Sequence, residues 1–295
     1  MTRARSSRLI ARAALALAIA LPTTLPGQSS NSWTPGNYLT QAISTVYAAA
    51  AAVIAIEDEL GFDGGASLFG SLVRRGGSTS ILQTFNRGEE YVVIGGGDND
   101  AQDVDVTILD SLGRSVASDR LTDATPVVHF KPTRSGRYTV RVSLYRATDN
   151  AFVALAILRK GGWQVGPDRM VAAARTLVSS GSFLATKGSS GFLAEENQWA
   201  VWGGVAPSSE TIELTGVTLG QGKRIVIAAT DDEASDIDLY VRSSAGTLLA
   251  SDDRSGADAV VSLESVAGRR YNLTAKNAGS ATHFVMTGVL TLRQQ

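Results

Sequence analysis

Nine aspartates in two matching groups are the residues best suited to chemistry in this 295-residue sequence. In the second group, Asp236-Ile237-Asp238-Leu239-Tyr240-Val241 precedes Gly246 at a turn and then Ser251-Asp252, with Asp231 upstream. Subtracting 133 gives Asp103-Val104-Asp105-Val106-Thr107-Ile108, Gly113 and Ser118-Asp119, with Asp98 and Asp100 upstream. Carboxylates alternating with aliphatic residues make the period-two pattern of a strand with one wet and one buried face. Asp236 and Asp238 then project from one face, about 6 to 7 Å apart, while Ile237 points inward. Clustered carboxylates attract a hard cation such as Ca²⁺, which takes six to eight oxygen ligands and relieves like-charge repulsion. Asp98, Asp100, Asp103, Asp105, Asp119, Asp231, Asp236, Asp238 and Asp252 are therefore the candidate calcium ligands. The alternative is that they are solvated strand-edge and turn acids that cap loops and block edge pairing. The spacing is not that of an EF-hand, because counting from Asp98 puts Asp103 at the sixth position and Leu109 at the twelfth.

Other chemistry has less to stand on. The two histidines, His129 and His283, do not align under the repeat and read as structural residues. No nucleophile elbow, zinc-binding helix or phosphate-cradling loop occurs, and Gly95-Gly96-Gly97 opens onto Asp98, which would repel phosphate and reads as a loop. With no cysteine, thiol catalysis and disulfides are excluded. Trp199 and Trp202 lie three apart, so in a strand they face opposite ways and one belongs to the core. Trp33 and Trp163 occupy matching starts of the two units, which favours packing at a repeat junction.

These residues must be positioned by a unit used twice. Residues 91–140 and 224–273 align without a gap at 16 of 50 identical positions, and a fixed period of this kind means one folding unit repeated. The same offset matches Leu68-Phe69-Gly70-Ser71-Leu72 to Val201-Trp202-Gly203-Gly204-Val205. Each unit opens with a helix. Apolar residues from Leu39 to Leu60 recur at helical spacing and stop at Gly61, and Pro167 precedes a second helical run to Leu184. The first helix, about 37 to 60, is alanine-rich and reads as a cover for a sheet or edge of its own unit, with a dimer or partner seam as the alternative.

After each helix, short apolar runs separated by turn residues predict eight antiparallel strands. The fold expected is mainly β: two tandem jelly-roll-like antiparallel sandwiches, each preceded by one α-helix. Residues 33–160 and 163–295 are the two units, and the short linker Arg159-Lys160-Gly161-Gly162 holds them in fixed relation.

Residues 1–28 read as a secretory signal peptide. Arg3, Arg5, Arg8 and Arg12 surround or precede an apolar run from Ala13 to Leu21 that is too short to span about 30 Å of hydrocarbon, and Pro22 and Pro26 break it. Removing four of 27 basic residues leaves 23 against 28 acidic ones, a net charge of −5. That balance argues against nucleic acid and anionic membranes as partners. The chain is expected to be secreted or periplasmic, with no membrane span once mature.

The Asp-x-Asp strand, the Gly turn, the Ser-Asp pair, the apolar pairs Val127-Val128 and Val260-Val261, and the strand starts at Tyr138 and Tyr271 resemble the bacterial pre-peptidase C-terminal domain. The likeness covers about residues 67–158 and 199–293. It implies calcium-associated jelly-roll-like sandwiches of the kind appended to secreted peptidases, some of whose relatives bind collagen or carbohydrate. This sequence departs from the family in lacking a peptidase domain, in its unit-opening helices and in Thr107 where the family tends to have Tyr. The expected function is a non-catalytic binding or adhesion module, possessing avidity from its duplication and engaging an extracellular or periplasmic protein or glycan. The alternatives are an accessory protein of a secreted hydrolase or peptidase system and a structural envelope protein.

Overall fold

The structure is a computed structural model that describes residues 33–194, 198–233 and 235–293, so the signal-peptide segment lies outside the described residues. The first repeat runs α1 (Thr34–Ile56), β1 (Leu60–Phe62), β2 (Leu68–Val73), β3 (Ser78–Phe85), β4 (Tyr91–Gly97), β5 (Ala101–Leu109), β6 (Ser115–Asp119), β7 (Val127–Phe130), β8 (Gly136–Ala147) and β9 (Ala151–Lys160). The second runs α2 (Asp168–Ala185), β10 (Ser189–Phe192), β11 (Val201–Ala206), β12 (Thr211–Thr218), β13 (Gly222–Thr230), β14 (Ile237–Ser243), β15 (Leu248–Asp252), β16 (Asp258–Ser265), β17 (Arg270–Asn277) and β18 (His283–Arg293).

Alternation does the folding in the motif strands. Val104, Val106 and Ile108 on β5, and Ile237, Leu239 and Val241 on β14, are completely buried, which puts Asp105 and Asp238 on the opposite face, where Asp105 is half-buried and Asp238 buried. In each repeat the strands divide into β2-β9-β4-β7 with β3-β8-β5-β6, and β11-β18-β13-β16 with β12-β17-β14-β15. Numbered from β2 and from β11, both repeats read 1-8-3-6 and 2-7-4-5, which is jelly-roll order. The short β1 and β10, which no alternating pattern announces, extend β9 and β18.

The two repeats join through one strand pair. β2 and β11 run antiparallel with Phe69 opposite Trp202, flanked by Leu68 opposite Gly203 and Gly70 opposite Val201. Because 69 plus 133 is 202, this pairing is symmetric about the Phe69–Trp202 pair, and a pseudo-twofold axis passes between them. The Ser67 amide donates to the Gly203 carbonyl at 2.8 Å, and its repeat image, the Ala200 amide, donates to the Gly70 carbonyl at 2.9 Å. One half of each sandwich thereby merges into a single ten-stranded sheet.

That sheet is covered on both faces. The two four-stranded sheets pack on one side, and the helices on the other, α1 over β4 and β9, α2 over β13 and β18, and each against its fellow. Strands buried on both faces read as continuous apolar runs, as β4 and residues 151–158 of β9 do. Gly95-Gly96-Gly97 consequently closes β4 instead of forming the expected loop. A Cβ on Gly96 would lie 2.8 Å from Val46 Cγ2 of α1, so the glycine lets helix and strand touch.

α1 starts at Thr34 and ends at Ile56, four residues short of the expected limit. Glu57, Asp58 and Glu59 follow, charges that a helix C-terminus disfavours, and Leu60 is drawn into β1 against β9. By length and hydropathy α1 could cross a membrane, yet Gly36, Leu39, Ala42, Ile43, Val46 and Ala50 are buried in the fold. Trp33, just before it, rests on Gly181 of α2, lies 5.1 Å from Phe192 and donates through Nε1 to the Ser190 carbonyl at 3.2 Å. The expected packing at a repeat junction holds for Trp33. Trp163 is instead largely exposed beside β1, and the two tryptophans are not structural equivalents.

Candidate functional site

The nine candidate calcium ligands are dispersed among separate hydrogen-bonding tasks. Asp98 is buried and accepts the amides of Phe152 at 2.8 Å and Asp100 at 3.0 Å, tying the end of β4 to β9. Burial raises its carboxyl above the usual range, which those amides partly oppose. Asp100 accepts from the Thr148 hydroxyl. Asp119 spans a turn by accepting from Leu121 at 3.1 Å and Val127 at 2.9 Å. Asp236 accepts the Gly256 amide at 3.0 Å, and Asp238 meets the Tyr240 hydroxyl at 3.1 Å and Lys276 at 3.7 Å.

Asp252 accepts Val260 N–H at 3.0 Å and holds Arg254 with both oxygens at 2.9 Å. The Arg254 guanidinium keeps its carboxyl down at about 2. Asp103 is buried at a register shift opposite Arg146, and Asp105, half-buried on β5, is raised first by burial, then by Asp103 and Asp119. Among the described residues no group of three or more His, Cys, Asp or Glu could hold a metal ion. Seven of the nine carboxylates meet a backbone amide, a hydroxyl, a histidine or a cationic side chain, each in its own place.

One buried charged group spans elements that spacing in sequence could not connect. Asp231, the repeat image of Asp98, lies 2.9 Å from His283 Nδ1 on β18, and its second oxygen meets Arg169 of α2. Both His283 and Asp231 are shielded from solvent, and the trio fastens α2 to the end of the sheet. His129 is exposed on β7 with Nδ1 3.7 Å from Glu57, in the other repeat from His283. The two histidines are not brought together.

A concave feature sits over the repeat junction. A cavity of about 540 Å³ opens between β3 and β12, with Phe69 and Trp199 among its lining residues. Its walls come in repeat images: Ser80 and Glu213, Ile81 and Leu214, Arg137 and Arg270. Trp199 lies 5.5 Å from Phe69 and donates Nε1–H to the Ser80 carbonyl at 3.0 Å. It precedes β11, so the opposite-faces expectation does not apply, and both Trp199 and Trp202 are buried.

The two walls differ in one respect. β3 pairs with β8 without interruption, whereas β12 carries a bulge between Leu214 and Val217. Gly216 adopts φ 71° there, a conformation glycine takes without strain, and its amide donates to Asn272 Oδ1 at 3.0 Å. Arg270 donates to the Gly216 carbonyl at 2.8 Å. Nothing in the sequence pattern marks this cleft, because its walls meet only through the pseudo-twofold axis.

No family model and no curated protein matches the chain. Among solved structures, the PBSX exported protein XepA is 9% identical over 77% of this chain and 87% of its own, with a TM-score of 0.26. The M60 catalytic domain with CBM51 domains of Clostridium perfringens ZmpB is 9% identical over 76% and 37%, at 0.25. A cupin 2 conserved barrel protein of Leptotrichia buccalis is 10% identical over 78% and 85%, at 0.18. Similarities this distant say nothing about activity.

Two measurements check this account of the acids. The folded value of Asp252 lies below its ordinary 3.8, so its stabilisation is present above about pH 4 and lost as pH falls toward 2. A shift of nearly two units corresponds to at most about 2.5 kcal/mol, and screening of the exposed Arg254 reduces that to about 1 kcal/mol. Urea denaturation of Asp252→Asn should show a loss of about 1 kcal/mol near pH 7 and no loss near pH 2; an equal loss at both would assign the effect to packing. Melting temperatures in millimolar calcium and in chelator should agree within about a degree, whereas a rise of several degrees would mean that the carboxylates exchange their present partners for the ion.

Proposed function

We propose that this chain is a secreted, non-catalytic binding module whose ligand seats in the cleft between the two jelly rolls. The observation that carries the reading is the pairing of Arg137 with its repeat image Arg270 in the walls of a cavity of about 540 Å³, above a floor with buried aromatic rings. A cavity of this size with a few convergent polar groups is the ordinary form of a binding site. Guanidinium groups there favour ligands with carboxylate, sulfate or phosphate groups. Secretion is supported by the arginine-flanked apolar run of residues 1–28. The likeness to pre-peptidase C-terminal domains favours an extracellular or periplasmic protein or glycan as the partner.

A glycan and matrix-protein array tests this with the mature chain and the double variant Arg137→Ala/Arg270→Ala. Binding that falls at least about tenfold in the variant, with melting unchanged, is the expected result. Binding that survives both substitutions places the ligand elsewhere, and a signal no greater than that of an unrelated jelly roll removes the reading.

A further inference from the structure

We infer that the cleft takes an extended acidic peptide segment, added as a strand to the free edge of β3. This rests on the binding-module reading and commits it to one ligand class. β3 and β12 are the terminal strands of their sheets, and among the described residues no further strand pairs with either. They face each other across the cleft through unpaired edges. A ready-made edge of N–H and C=O groups is the template for β-augmentation, in which main-chain bonds supply affinity.

Which backbone groups are available follows from Trp199. Its indole donates to the Ser80 carbonyl, so Ser80 turns its backbone toward the cleft and away from β8. In a strand the N–H and C=O of alternate residues point the same way, so Leu82 and Thr84 also present theirs to the open edge. β3 is regular along its whole pairing with β8, whereas the bulge at Leu214–Val217 interrupts β12. Bulges guard edges, so β12 is protected and β3 is receptive.

Charge selects the peptide. Arg137 is opposite Thr84 and Arg141 opposite Ser80 on β8, both exposed. Neither has a carboxylate partner among the described residues. Leu82, 54% exposed, stands between them on the same face of β3. Two unneutralised guanidinium groups flanking an apolar side chain fit a strand with carboxylates about two residues either side of an aliphatic one. On the opposite wall Glu213 offsets Arg270, whereas no acid in the cavity lining offsets Arg137, which again directs the peptide to β3.

The test uses the mature chain and a labelled, end-blocked peptide with the sequence Thr-Glu-Thr-Val-Thr-Glu-Thr, which puts Glu, Val and Glu on one strand face. The comparison probes are the same peptide N-methylated at alternate residues, its Gln counterpart, and an oligogalacturonate. Two variants accompany them. Leu82→Pro removes an edge-facing N–H without touching the ladder to β8, and Arg137→Gln/Arg141→Gln removes the charges and leaves the backbone intact. The Glu peptide should bind, with affinity falling about tenfold or more on N-methylation, in the Gln counterpart, in each variant, and on raising the salt. If Leu82→Pro fails to fold, the N-methylated peptide and the arginine variant still decide the matter. Equal binding of methylated and unmethylated peptide overturns strand addition. Binding of the oligogalacturonate alone overturns the peptide inference and keeps the cleft as a binding site, and binding of no probe overturns both. Sedimentation as a dimer that the peptide does not dissociate would show that the edge pairs with a second copy, which also overturns the inference.

Discussion

Everything in this molecule depends on the hydrogen bonding of β2 to β11. Each jelly roll alone would end in an exposed strand, a row of unpaired donors and acceptors flanked by Phe69 or Trp202. Edges of that kind are a liability for a soluble chain. Duplication resolves it, because the edge of one copy is complementary to the edge of the other when they meet antiparallel. The bonds from Ser67 to Gly203 and from Ala200 to Gly70 are images of each other under the repeat. The sheet that results is long enough to need a cover on its second face, which α1 and α2 supply together, with Trp33 of the first repeat anchored on Gly181 of the second. The repeat is thus an internal dimer, held by the interaction that would otherwise draw two separate chains together.

The same geometry makes the cleft. Joining the large sheets edge to edge places the small sheets side by side over the joint, and among the described residues no strand joins β3 to β12. The edge problem that is solved in one layer is retained in the other, with a bulge on one wall only. An asymmetry between otherwise matching walls is a common outcome when one copy of a duplication is free to change, and here it separates a guarded edge from an open one.

Much of the fold was legible in the sequence because period-two alternation survives wherever one face of a sheet is wet. β5 and β14 show it plainly, and the offset of 133 made every strand of one repeat a check on the other. Legibility failed where that physics changes. β4 is buried on both faces and shows no alternation; Val92, Val93 and Ile94 marked it as a strand, whereas the three glycines that close it read as a loop. β1 and β10 are too short to show a period. For the sites, the aspartates were visible and their partners were not: Asp231 finds His283 and Arg169 through the placement of β18 and α2, and Asp98, Asp119, Asp236 and Asp252 are engaged by backbone amides, which carry no sequence signal. The cleft was invisible because its walls are related by an axis, and neither wall is unusual by itself.

The central claim is that β2 and β11 form one continuous ladder, and amide hydrogen exchange at that ladder tests it most directly. Protection of the Ser67 and Ala200 amides should reach the level of those of Ile157 and Val289, which lie in the interior of the shared sheet and bond to the carbonyls of Ser67 and Ala200. All four should exchange through the same global opening and respond alike to low denaturant. Exchange of Ser67 and Ala200 that is orders of magnitude faster than that of Ile157 and Val289 would contradict the account, because it would show two jelly rolls that part while each remains folded.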